Sequence, residues 1–256
     1  MIYKPKTIMI TGATAGFGAE MAQLFSKELD AKLILTGRRQ ERLEALQDEL
    51  DTPVHILVQD ISDKAQLKSD MASLPDEFTN IDCLINNAGL ALGGEPFQEK
   101  PEDDIDQMID VNIKGLVHLT RLVLPGMIER KEGYIVNLGS VAGTYVYPGG
   151  NIYNGTKAFV NHFSTSLRAD LKGKNVRVTS VEPGAVDTEF SLVRFKGDKD
   201  RADGVYSGYR KLTAEHIAKT ILWLITQPQE MNVNHIEIMP TDQSFNGFSF
   251  DGFDAA

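Results

Sequence analysis

The sequence predicts an α/β fold in one domain: a doubly wound parallel sheet of about seven strands with helices on both faces. Three observations carry this. Short, nearly continuous apolar runs alternate with helix-length amphipathic segments, as strands buried on both faces require. The first run passes straight into a glycine-rich turn, Thr11-Gly-Ala-Thr-Ala-Gly-Phe-Gly18. No linker or low-complexity stretch divides the 256 residues, so residues 1–256 read as a single domain.

Strands are expected at Thr7-Ile-Met-Ile-Thr, Lys32-Leu-Ile-Leu-Thr, Val54-His-Ile-Leu-Val, Asp82-Cys-Leu-Ile-Asn, Tyr134-Ile-Val-Asn-Leu and Val176-Arg-Val-Thr-Ser-Val, with a seventh at Val233-Asn-His-Ile-Glu-Ile-Met. Helices are expected over 18–29, 40–50, 63–74, 103–130, 151–172 and 213–226. Pro101-Glu-Asp-Asp opens the fourth of these, with a proline and acids at the positive end of the helix dipole. The segment 186–212 differs, being charged, rich in Gly and Asp, and weakly periodic. Ligands of such sheets bind beyond the carboxyl ends of the strands. A segment placed there, after Glu182-Pro183-Gly184, is expected to be a mobile substrate lid.

Composition excludes some functions. Hydrophobic residues are 42% and charged residues 24%, which suits a soluble protein with a sizeable core. The net charge of −10 lacks the basic footprint of a nucleic-acid binder. The single cysteine, Cys83, excludes an intramolecular disulfide and reads as a small buried hydrophobe. No apolar stretch reaches membrane-span length, and the N-terminus lacks a signal-peptide pattern, so a cytoplasmic location is expected. No metal ligands are assigned.

Glycines 12, 16 and 18 form G-x-x-x-G-x-G between the first strand and the first helix. Glycines there permit a tight turn and close approach of backbone to phosphate, with the pyrophosphate on the helix N-terminus. An ordinary glycine-rich loop is the alternative. Strand two ends in Thr36-Gly37-Arg38-Arg39, where an NAD site usually places an acid on the ribose 2′-hydroxyl. Arg38 and Arg39 offer planar bidentate geometry for a phosphate instead, so NADP is expected over NAD. Asp60 closes strand three, either on the adenine amino group or as a turn former. Asn86-Asn-Ala-Gly89 closes strand four and is placed to lie against the adenosine half of the cofactor, or to form a loop.

Tyr153 and Lys157 stand four apart in a predicted helix, so their side chains share one face. A lysine ammonium beside a phenol favours the phenolate, which makes Tyr153 a candidate acid or base. Alone the pair is weak, because a packed tyrosine and a solvated lysine share that spacing.

The ordered set Thr11-Gly-x-x-x-Gly-x-Gly18, Asp60, Asn86-Asn-Ala-Gly89, Asn112, Ser140, Tyr153-x-x-x-Lys157 and Pro183-Gly184 resembles the short-chain dehydrogenase/reductase family over essentially the whole chain. Gly12-Ala-Thr-Ala-Gly-Phe-Gly, Thr36-Gly-Arg-Arg-Gln-Glu-Arg-Leu, Asn86-Asn-Ala-Gly-Leu-Ala-Leu-Gly and Val193-Arg-Phe-Lys-Gly-Asp198 resemble its NADP-dependent 3-hydroxy acid dehydrogenases, which oxidise serine, allo-threonine and related acids. The resemblance implies a Rossmann-like sheet and an oxidoreductase. It implies that Tyr153 exchanges the proton of the substrate hydroxyl and that Lys157 lowers its pKa and holds the nicotinamide ribose. Ser140 would hydrogen-bond the substrate oxygen, and Asn112 would hold a water linking Lys157 to solvent. It also implies cofactor contacts from Gly12, Thr14, Gly16, Phe17, Gly18, Asn87, Ala88, Gly89, Pro183, Gly184 and Val186, with Thr188 on the nicotinamide carboxamide.

The carboxylate of a β-hydroxy acid substrate needs a cation or several donors, and Arg194 in the lid is the candidate, with Lys196 second, an exposed lid charge being the alternative. Gly149-Gly150, just before the catalytic helix, either leave room for a small substrate or simply serve the turn. The long apolar stripes over 103–130 and 151–172 either bury within the monomer or, as the resemblance implies, pair in a dimer of dimers. The tail Gly247-Phe-Ser-Phe-Asp-Gly-Phe-Asp is expected to pack on another subunit, a frayed terminus being the alternative. Two other functions share these residues: an NADPH-dependent reductase of aldehydes or diketones, and a non-catalytic NADP-binding regulator. The intact Asn112, Ser140, Tyr153 and Lys157 set argues against the regulator.

Overall fold

A computed structural model describes residues 2–205, 208 and 210–244. The phenylalanine-rich tail lies outside the described residues. The elements run β1 (Thr7–Thr11), α1 (Gly16–Glu28), β2 (Lys32–Gly37), α2 (Gln40–Asp48), β3 (Val54–Val58), α3 (Lys64–Ala72), β4 (Cys83–Asn86), α4 (Glu102–Ile109), α5 (Leu116–Arg130), β5 (Gly133–Leu138), α6 (Asn151–Asp170), β6 (Val176–Pro183), β7 (Val186–Asp187), α7 (Phe190–Arg194), α8 (Lys199–Gly204), β8 (Leu212–Thr213), α9 (Ala214–Thr226) and β9 (His235–Ile238). Seven strands form one sheet in the order β3-β2-β1-β4-β5-β6-β9, and every neighbouring pair is parallel.

Alternation along the strands divides the core in two. Ile8, Ile10, Leu33 and Leu35 face a cluster that includes Phe25 of α1, Leu43 of α2 and Ile221 of α9. Met9 and Ile34, on the opposite side of the same strands, face a second cluster with Leu67 of α3, Leu119 of α5 and Leu167 of α6. Two-sided burial is why these strands are apolar at nearly every position. Cys83 lies wholly within the first cluster, where burial pushes its thiol up to about 12. A thiol so held packs as a hydrophobe.

Chain order reverses between β1 and β4, so the connections diverge there and leave a crevice at the carboxyl ends of the strands. Thr11 ties the two sides of the crevice together. Its hydroxyl accepts from the Asn87 and Ala88 amides, both at 2.9 Å, and donates to the Ile85 carbonyl at 3.3 Å. The Asn87 amide nitrogen in turn donates to the Thr11 carbonyl at 2.8 Å and the Gly12 carbonyl at 3.2 Å.

The structure corrects two expected boundaries. The helix expected over 103–130 is interrupted by a π-helical turn at Asp110–Gly115. Such a turn inserts extra backbone into the helical ladder, which apolar periodicity does not reveal. The segment 186–212 contains two short helices, α7 and α8, and its ends pair as the parallel strands β7 and β8. Elements of five or six residues are too short to show a period.

Gly18 sits in the first turn of α1, under the glycine turn. A Cβ there would meet the Gly12 carbonyl oxygen and stand 2.8 Å from the Ala13 Cα, both backbone atoms. Gly18→Ala is expected to destabilise the protein by about 1–3 kcal/mol through this overpacking. Chemical denaturation of the variant against wild type checks it, and an unchanged midpoint contradicts it.

Candidate active site

The carboxyl ends of β1, β2, β4, β5 and β6 and the start of α7 surround a cleft of about 360 Å³. Gly12, Thr14, Gly16, Phe17, Arg38, Arg39 and Asp60 line one end. Asn87, Ala88, Gly89, Ser140, Tyr153, Lys157, Pro183, Val186 and Thr188 line the rest. Residues up to 181 positions apart in sequence thus share one cavity, Gly12 and Val193 being the extremes.

Lys157 is buried, and one of its N–H groups donates to the Leu138 carbonyl at 2.6 Å. This bond ties α6 to the end of β5. Its nitrogen lies 5.8 Å from the centre of the Tyr153 ring, one helical turn away. Burial pushes the Lys157 ammonium down from 10.5 to about 8, because water no longer solvates the charge. On its far side the Tyr153 ring meets Phe190 of α7, 5.6 Å between centres. Ser140 follows β5, accepts from the Ala142 amide at 3.1 Å and donates to the Pro183 carbonyl at 3.4 Å.

Asn112 lies in the π-helical turn, behind the cleft wall. Its side-chain oxygen accepts from the Leu90 amide, and its nitrogen donates to the Leu90 carbonyl, each at 2.8 Å. The same nitrogen donates to Thr156 Oγ1 at 3.0 Å. The Asn112 side chain therefore fastens the loop after β4 to α6, and both N–H groups are committed to protein. Gly89 lies against this pair. A Cβ there would stand 3.3 Å from Asn112 Oδ1 and 3.5 Å from Lys157 Nζ.

At the other end, Asp60 accepts from the Ser62 amide at 2.9 Å and the Ser62 hydroxyl at 2.6 Å. Burial works to raise its pKa, and the Ser62 hydrogen bonds outweigh this and hold the carboxyl below its ordinary value. One Asp60 oxygen thus forms a turn with Ser62, and the other stands 3.8 Å from Arg38 at the cleft lining. Arg39 donates to Thr14 and to Glu189, and Arg42 also donates to Glu189. Glu189 was not visible in the sequence as a site residue, because its partners lie 147 and 150 positions away. Phe190 and Thr11 were missed for the same reason.

Five expected contacts, Gly18, Gly149, Gly184, Arg194 and Lys196, lie outside the cleft lining. Gly18 supports the glycine turn from below. Gly184 packs against Gln243, whose side chain accepts from the Ala185 amide at 2.8 Å. Gly149, at φ +75, turns the chain against the Gly94 carbonyl, which a Cβ would strike. Its small size serves a backbone crossing at the foot of α6. Arg194 is not among the cleft-lining residues: its Nε donates to the Gly93 carbonyl at 2.9 Å, and its Nη1 donates to the Tyr147 hydroxyl at 3.2 Å. The α7 turn presents Val193 to the cavity instead. Lys196, the second candidate, is paired with Asp104 at 2.9 Å.

Comparison with known proteins agrees with this geometry. Residues 6–198 match the model of the short chain dehydrogenase family. The chain belongs to the short-chain dehydrogenase/reductase family. It is 53% identical to a serine 3-dehydrogenase of Rhizobium radiobacter, over 94% of this chain and 96% of that protein. It is 50% identical to the NADP-dependent 3-hydroxy acid dehydrogenase YdfG of Escherichia coli K12, over 94% and 98%. The fold superposes on a closed form of serine dehydrogenase complexed with NADP+ with a TM-score of 0.94, at 49% identity, covering 96% of this chain and all of that one. Among the described residues no helix is long and apolar enough to cross a membrane.

The Lys157 shift has a measurable consequence. The folded protein releases this proton at about pH 8 and the unfolded chain near 10.5. Between those values the unfolded state binds more protons, so stability rises with pH there relative to a protein lacking the group. Wild type is expected to gain up to about 3 kcal/mol on Lys157→Met between neutral pH and about pH 10. Urea unfolding of the cofactor-free proteins across that range tests it, and a constant difference contradicts it.

Proposed function

We propose that this protein oxidises the hydroxyl of a small 3-hydroxy acid such as serine or allo-threonine with NADP, and runs the reverse reduction. The observation that carries this reading is the meeting of Ser140, Tyr153 and Lys157 in one cleft with a glycine turn and an open arginine. The relatives at 50% identity or more, named for serine and 3-hydroxy acids, support the substrate class.

The residues present fit the cofactor. The glycine turn leads into the α1 N-terminus, which favours phosphate. Thr14, Gly16 and Phe17 line this end of the cleft, and Asn87, Ala88 and Gly89 form the facing wall. Arg38 lies where the ribose 2′-substituent of a dinucleotide falls in this fold. Its side chain is 58% exposed and stands 3.8 Å from its carboxylate partner. Pro183, Val186 and Thr188 close the nicotinamide end. When bound, the nicotinamide supplies the hydride acceptor or donor.

The remaining chemistry belongs to the chain. Tyr153 takes the proton of the substrate hydroxyl in oxidation and returns it in reduction. The Lys157 ammonium favours the Tyr153 phenolate through the charge it holds below about pH 8, and its remaining N–H groups serve the nicotinamide ribose. Ser140 donates to the substrate oxygen and stabilises the charge that develops there. Asn112 positions Lys157 indirectly through Thr156 and the Leu90 loop. The cytoplasm and a dimer of dimers complete the proposal. Partly exposed Phe159, stacked on Phe163 at 5.7 Å along α6, is suited to a helix-pairing surface.

Absorbance at the NADPH band, with NADP and serine, allo-threonine or 3-hydroxypropionate, tests the reading directly. Turnover is expected with at least one acid. Tyr153→Phe is expected to lower kcat by about a thousandfold or more while the cofactor still binds. Activity only on aldehydes or diketones with NADPH would replace the hydroxy-acid reading with a carbonyl reductase. Cofactor binding without turnover in either direction would replace both with a regulator.

A further inference from the structure

We propose that Arg39, Arg42 and Glu189 form a clasp that holds the lid closed over the bound cofactor, and that Arg38 alone reads the 2′-phosphate. The inference rests on the NADP reading above and divides roles between two arginines that the sequence treats as equivalent.

The hydrogen bonds of Arg39 leave little of its fork for a phosphate. Its Nε and NH2 donate to Thr14 Oγ1 at 3.1 and 2.8 Å, and its NH1 donates to Glu189 Oε2 at 3.1 Å. Arg42 NH1 donates to both Glu189 oxygens, at 2.9 and 3.0 Å, and reaches the Thr14 carbonyl at 3.5 Å. Burial works to raise the Glu189 pKa, and the hydrogen bonds from Arg42 and Arg39 outweigh it and hold the carboxyl below its ordinary value. Arg38 differs, because its ion pair with Asp60 spans 3.8 Å. A planar guanidinium with uncommitted donors is what a phosphate monoester takes bidentately.

The clasp joins three segments. Thr14 belongs to the glycine turn, Arg39 and Arg42 to the start of α2, and Glu189 immediately precedes α7, the first lid helix. An exposed ion pair alone contributes little, but two arginines sharing one carboxylate and one threonine form a network. The neighbours of Glu189 show what the network positions. Thr188 lies over Gly16, where a Cβ would meet its side chain at 3.6 Å. Phe190 packs on the Tyr153 ring. At its other end the lid is docked by Arg194 on Gly93 and Lys196 on Asp104. Fastening Glu189 therefore sets the lid against both the phosphate turn and the proton-transferring tyrosine. Arg39, Arg42 and Glu189 are positioning residues.

The experiment measures Kd for NADPH and NADH by fluorescence, and NADPH release by stopped flow. The variants are Arg38→Ala, Arg39→Ala, Arg42→Ala, Glu189→Ala and the Arg39→Ala/Glu189→Ala double. Arg38→Ala is expected to weaken NADPH by about 10–100-fold and NADH by less than about threefold, as loss of a charged phosphate contact requires. Each clasp variant is expected to weaken both cofactors alike, by about 3–10-fold, and to speed NADPH release by a similar factor. The double variant is expected to be no worse than its worse parent, the signature of a shared interaction. Loss confined to NADPH in Arg39→Ala or Arg42→Ala would make those residues phosphate ligands and overturn the clasp. Unchanged release from Glu189→Ala overturns it as well. An unchanged NADPH preference in Arg38→Ala overturns the assignment of the 2′-phosphate to Arg38, whereas equal affinity of the wild type for NADPH and NADH removes the NADP reading itself while the release rates still judge the clasp.

Discussion

A buried ammonium organises this molecule's chemistry. Lys157 is held by the Leu138 carbonyl with water largely excluded, and that desolvation lowers its pKa. A charge in such a place is unfavourable unless something nearby gains from it. Under the proposed function Tyr153, one turn earlier on α6, is the group that would gain, because an ammonium nearby favours a phenolate. The same hydrogen bond locks the helix against the end of β5, so Ser140, two residues beyond Leu138, is held in register with both.

That lock works only because the sheet presents its strand ends on one edge. Every neighbouring pair is parallel, and the strand order turns between β1 and β4. The Thr11 hydroxyl and the Asn87 amide close that seam with hydrogen bonds to backbone. The glycine turn depends on the seam. Cβ atoms on Gly12 and Gly18 would both press on Asn87 Nδ2, at 3.1 and 2.9 Å. Glycine turn, seam and α6 are thus one packed unit, with Thr188 and Phe190 lying against the turn and the helix.

Much of the fold was legible from period and punctuation. All seven strands of the main sheet fall on runs visible in the sequence, and in β1, β2, β4 and β5 two-sided burial demands their apolar character. The glycine turn, Tyr153 and Lys157 were legible because local backbone needs and helical spacing are properties of neighbours. The π-helical turn was not. It exists to place Asn112 against Leu90 and Thr156, partners 22 and 44 residues distant. The Arg194 hydrogen bonds to Gly93 and Tyr147 were hidden for a related reason, since those partners lie 101 and 47 residues away.

By itself the sequence determined which residue types were available for hydride-linked proton transfer and in what order they arrive. Helical spacing put Tyr153 and Lys157 on one face, and the arginines after β2 stood where an acid was absent. Only the tertiary structure decided what each polar group is committed to. Arg38 and Arg39 are adjacent in the chain, yet one stands open and the other is spent on Thr14 and Glu189. Commitment depends on distances between segments far apart in sequence, and those distances exist only once the sheet has brought its strand ends together.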